Sequence, residues 1–112
     1  MKKIYKKNQL LEVNNMPIEV IESIKVTIDI LNENYGFNRA IESDLGGYVV
    51  IAENIVDMEI LKQDKLQGLV PEYTDVIEVV NGVNWTSSLF LLSSDYAITV
   101  VTTEELSKFL LE

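Results

Sequence analysis

The residues best suited by type and spacing to do chemistry lie in one short stretch: Arg39, Glu42 and Asp44, just ahead of Gly46-Gly47. Oxygen ligands gathered beside a glycine turn can hold Ca²⁺ or Mg²⁺. The spacing does not follow the EF-hand pattern, which needs three oxygens two residues apart and a later glutamate. Arg39 is the only arginine, and a guanidinium can fork onto a carboxylate through two parallel hydrogen bonds. Glu42 or Asp44 is a suitable mate. Such a pair would organise the loop, and the same three residues can also serve as a partner contact.

Other groups are weaker candidates. Glu53, Asp57, Glu59 and Asp64 supply paired carboxylates, but acid–base work in glycoside hydrolysis needs a cleft and a defined separation. Ser87, Ser88, Ser93 and Ser94 flank an apolar run, yet a serine nucleophile needs a base, usually histidine. The chain contains no histidine and no cysteine, and no serine is followed three residues later by lysine. Imidazole and thiolate are the commonest side chains for general-base catalysis and for soft metal ligation. No reaction is therefore assigned, and no cofactor is expected. Trp85 and Tyr96 fall on segments that read as neighbouring strands, where aromatics can mark a partner surface or pack the core.

These residues must be positioned by elements that the apolar pattern outlines. Residues 17–35 read as a helix: Ile21, Ile24, Ile28, Leu31 and Tyr35 recur at spacings of three and four. Pro17 suits the first turn, Glu19 and Glu22 suit its positive end, and Gly36 suits its close. Alternating Ile24, Val26, Ile28 and Ile30 give a rival strand pattern. Asp44-Leu45-Gly46-Gly47 reads as a turn, followed by the apolar run Tyr48–Ala52, a strand buried on both faces. Asn54 is placed to cap a helix over 55–66, with Ile55, Met58 and Leu61 inward and Val56 and Ile60 beside them, ending at Gly68 and Pro71. Thr74–Val80, residues 83–92 and Tyr96–Val101 read as a meander. Its first turn is Asn81-Gly82, the strongest short hairpin signal. Thr102 is placed to cap a short helix, with Glu105 completing a capping box. Residues 2–13 fit either a short edge strand or a strap over the core. The expected fold is α+β: a mainly antiparallel sheet of about four strands, with two longer helices and a short C-terminal helix on one face. The whole of 1–112 is read as one domain, with 1–14 as an edge strand or a frayed arm.

Charge narrows the function classes. The formal net charge is −9, and four of the nine basic residues are Lys2, Lys3, Lys6 and Lys7, leaving five basic against 18 acidic groups in the rest. An acidic body repels nucleic-acid phosphates and membrane surfaces and favours a basic protein partner. No apolar run approaches the roughly 18 residues of a membrane span. Asn8, Gln9, Glu12, Asn14 and Asn15 interrupt any secretory signal, so a cytoplasmic location is expected.

Two stretches carry a resemblance. Leu31-Asn32-Glu33-Asn34-Tyr35-Gly36 with Arg39 and Asp44-Leu45-Gly46-Gly47-Tyr48-Val49 is one. Val70-Pro71-Glu72-Tyr73-Thr74-Asp75 with Asn81-Gly82 and Thr86-Ser87-Ser88-Leu89 is the other. Together they resemble a group of small acidic proteins of unassigned function from low-GC Gram-positive bacteria, their phages and their mobile elements. The resemblance implies no activity and suggests an accessory protein. The expected function is a non-enzymatic factor that binds another protein. The alternatives are a carboxylate-based metal or ligand binder and a homodimer or small assembly joined through a sheet edge.

Overall fold

The computed structural model describes residues 1–35, 46–93 and 96–111. Arg39, Glu42 and Asp44, with the helix stop expected at Gly36, lie outside these residues. Along the chain run β1 (Lys2–Ile4), a 3₁₀ turn (Lys7–Glu12), α1 (Ile18–Tyr35), β2 (Gly46–Ile51), α2 (Ile55–Gln63), β3 (Tyr73–Val80), β4 (Val83–Ser93), β5 (Tyr96–Thr103), α3 (Glu104–Ser107) and a closing 3₁₀ turn (Lys108–Leu111). The ambiguous N-terminal segment is thus both an edge strand and a strap.

The fold is α+β, but its sheet has five strands in the order β1-β2-β5-β4-β3 and is mixed. β1 is antiparallel to β2, β2 is parallel to β5, and β5-β4-β3 is the expected antiparallel meander. The one-sided arrangement of helices is also corrected. β2 alternates between two cores: Val49 and Ile51 join Val20, Ile24 and Ile28 of α1, whereas Tyr48, Val50 and Ala52 join Met58 and Leu61 of α2 and Leu110 near the C-terminus. A strand apolar on both faces needs a cover on each. A parallel pair cannot be joined by a hairpin and needs a longer crossover.

Local signals were read correctly where the chemistry is local. Helix α1 forms despite its β-branched residues because Val20, Ile21, Ile24, Ile28 and Leu31 are all buried, and burial outweighs small propensity losses. Asn81 and Gly82 adopt positive φ at 52° and 78°, as a primed hairpin turn requires. Asn54 caps α2 by accepting a hydrogen bond from the Asp57 backbone, and Asp57 accepts from the Glu53 backbone in return.

Three local readings fail. Gly46-Gly47 begins β2 instead of forming a turn. Met58 and Leu61 are buried, but Ile55, Val56 and Ile60 of α2 are exposed, because only a narrow stripe of this helix of nine residues meets the sheet. Thr102 is buried within β5 and donates to the Ala52 carbonyl, so Thr103 stands at the helix start instead and makes no side-chain cap.

Candidate functional site

Trp85 and Tyr96 do lie on adjacent strands, but they do not form one patch. Trp85 is paired with Thr103, whereas Tyr96 is paired with Ser93 at the other end of the same ladder. They also project to opposite faces: Trp85 packs with the α1 core and Tyr96 with the α2 core. Trp85 instead helps line a cavity of about 260 Å³ at the C-terminal ends of β2 and β5, with Val13, Met16, Ile51 and Leu106. Of the carboxylates around α2, Asp57 is engaged in the cap and lies 3.6 Å from the N-terminal ammonium. Among the described residues, no three acidic side chains gather as metal ligands. Ser87 and Ser88 are buried in β4, and the Ser88 hydroxyl lies 2.7 Å from that of Thr74.

The first surface with functional geometry is the outer edge of β3. The strand pairs with β4 on one side, and among the described residues no strand pairs with its other side. Its regular register breaks at a bulge between Val76 and Glu78. By alternation, Val76 and Val79 then face the α2 side, where they are 51% and 58% exposed. On the other face, α1 overhangs the strand. The Ser23 hydroxyl donates to the Ile77 carbonyl at 3.4 Å. Thr27 and Ile30 line a groove of about 180 Å³ with Tyr73, Asp75 and Ile77. Helical spacing places Val26 on the same side of α1 as Ser23 and Ile30, and Val26 and Ile30 are both exposed. Glu72 and Asp75 are exposed at the start of the strand.

The second is a tyrosine cluster at the opposite edge. Lys3 pairs with Val50, so Lys3 and Tyr5 project to the same face as Tyr48. The rings of Tyr5 and Tyr48 lie 5.3 Å apart, and that of Tyr96 meets Tyr48 edge-on at 6.3 Å. The Lys3 ammonium stands 5.3 Å from the centre of the Tyr48 ring. Tyr48 is 3% exposed, and its hydroxyl is buried without a hydrogen-bond partner among the described residues. A buried, unsatisfied hydroxyl costs about 1–3 kcal/mol. The hydroxyl of Thr99 shares that condition in the other core.

Burial, then the neighbouring Tyr96, Tyr5 and Asp64, push the Tyr48 phenol up to about 12 from its ordinary 10.0. The folded state therefore holds this proton more tightly than the unfolded chain. Stability from this group is intact below pH 10 and declines as pH rises toward about 12. In a spectrophotometric phenolate titration, one tyrosine should ionise late, and Tyr48→Phe should remove that late step. A Tyr48→Phe titration identical to the parent's would contradict the assignment.

Neither surface was found by sequence reasoning, apart from Tyr96. Alternation of Lys3 and Tyr5 was the available signal for the cluster; their approach to Tyr48 and Tyr96 depends on strand order. Comparison with protein-family models, with curated proteins and with solved structures gave no match. No helix among the described residues is long and apolar enough to cross a membrane.

Proposed function

We propose that this chain is a non-enzymatic protein-binding module that receives an extended, basic segment of its partner along the outer edge of β3. The observation that carries this reading is the β3 edge, unpaired among the described residues, lying beside the exposed Val26 and Ile30 of α1. An added strand would satisfy the backbone groups of that edge and set alternate side chains against the helix. Exposed Glu72 and Asp75 and the acidic balance of the chain favour lysine or arginine between the apolar anchors. The same acids weigh against the homodimer alternative, because two copies pairing edge to edge would bring like charges together.

Selection from a randomised peptide library, with the full chain as bait, tests the reading. Enriched peptides should alternate basic and apolar residues and perturb the backbone amides of β3. Ile30→Asp should abolish their binding. Asp75→Lys should weaken it by about tenfold, the loss expected for one close charge pair, and raised salt should weaken it further. Peptides that bind the Ile30→Asp chain unchanged would refute the β3 site. A dimer seen by light scattering and dissolved by Ile30→Asp would transfer this edge to self-association.

A further inference from the structure

Two lysines meeting three tyrosines is unexpected in so acidic a chain. Lys3, Tyr5, Tyr48, Lys65, Leu92, Tyr96 and Ile98 together line a depression of about 370 Å³, a volume at the lower end of small-molecule sites. Lys3 and Tyr5 come from β1 and its exit, Tyr48 from β2, Tyr96 and Ile98 from β5, and Lys65 from the segment after α2. Among the described residues no carboxylate lines it, although Asp64 lies close enough to act on the Tyr48 phenol. Leu92 and Ile98 offer apolar surface, and the tyrosine rings offer faces and edges for a flat ring to pack against.

The buried Tyr48 hydroxyl is the second, independent pointer. It has no hydrogen-bond partner among the described residues, and a phenol can donate to an anionic oxygen. Lys3 and Lys65 in the same lining carry the complementary charge. We propose that this depression binds a small aromatic anion, a single ring carrying a phosphate or carboxylate, with the acidic group held by Lys3, Lys65 and the Tyr48 hydroxyl. The ring would lie among Tyr5, Tyr96 and Leu92. This site is on the far edge of the sheet from β3 and does not depend on the peptide-binding reading.

The test titrates four probes into the full chain and follows tyrosine ring resonances by NMR: phenyl phosphate, benzoate, inorganic phosphate and benzyl alcohol. At least one of the two ring-bearing anions should give saturable shifts at the three tyrosines, and comparing the two says which acidic group is preferred. Inorganic phosphate and benzyl alcohol should each bind at least about tenfold more weakly, since each lacks one half of the recognition. Lys65→Gln should cost about tenfold in affinity, and Tyr48→Phe a loss of similar size. Tyr48→Phe keeps the ring and removes an unsatisfied hydroxyl, so its melting temperature should stay level or rise. Absence of saturable shifts with both ring-bearing anions at about 10 mM would overturn the proposal. So would parent-like affinity in both the Lys65→Gln and Tyr48→Phe chains. Equal binding of inorganic phosphate would remove the ring from the recognition, and equal binding of benzyl alcohol would remove the charge; either result overturns it.

Discussion

Gly47→Ala should leave the chain without a cooperative folded state. Gly47 pairs with Ala97 in the parallel β2–β5 ladder, with φ at +133°. A methyl group built there would sit 1.7 Å from the Ala97 carbonyl oxygen and 2.8 Å from its carbonyl carbon. Both atoms are backbone in the central strand, so no side-chain rotation can relieve the overlap. Either the strands separate at their start or β2 changes register, and a one-residue slip would exchange its two buried faces. The expected loss exceeds about 4 kcal/mol, a large part of the roughly 5–15 kcal/mol that holds a small domain together. Gly82→Ala is the control. It also has positive φ, at +78°, but nothing stands within 4 Å of the added methyl. It should cost only the backbone strain, about 1–2 kcal/mol. Denaturant unfolding followed by circular dichroism separates the two. A Gly47→Ala chain that unfolds with a parent-like midpoint would mean that β2 and β5 are not so closely paired.

Phe90→Ala should be the most costly truncation in the α2 core. Phe90 is 1% exposed and heads the largest fully buried side chains. It lies on β4 opposite Ile98, packed with Val100, Met58, Leu61 and Leu110. Removing the ring forfeits its transfer from water and leaves a cavity that two fixed strands cannot close. The expected cost is about 3–5 kcal/mol, or roughly 12–20 °C in melting temperature. Because α2 and the C-terminal turn meet the sheet through this cluster, protection of their amides from exchange should fall with it. Leu92→Ala, on an exposed side chain of the same strand, should change the melt by far less. Equal effects from the two would place the core elsewhere.

How much was legible in the sequence follows from how far each signal reaches. Pro17 with the Ile21–Ile24–Ile28 stripe, Asn54 before Asp57, and Asn81-Gly82 each act within a few residues, and each was read correctly. Gly46-Gly47 was misread because its need for glycine arises from Ala97, fifty positions away in register and invisible to any local window. The Tyr48–Ala52 run announced burial on both faces, yet nothing local says which elements cover them. The exposure of Ile55, Val56 and Ile60 had the same origin: apolar residues on three sides of a short helix cannot reveal which side meets the sheet. The β3 groove needed the position of α1 over that strand. The tyrosine cluster needed β1, β2 and β5 to be placed side by side. Tyr96 was noticed for its chemistry together with Trp85, which lies on the adjacent strand but faces the other core.

The strand order has a consequence for biosynthesis. β5 is the middle of the sheet and the last of its five strands to leave the ribosome. Until it emerges, β1–β2 and β3–β4 are two separate ribbons, each with a bare inner border that carries apolar residues, Val49, Val50 and Ile51 on β2 and Leu89, Phe90 and Leu91 on β4. Closure then joins segments about fifty residues apart in one late, slow event. Throughout that interval the nascent chain presents adhesive borders, and chaperone demand should be greatest then, easing once the central strand locks the halves together.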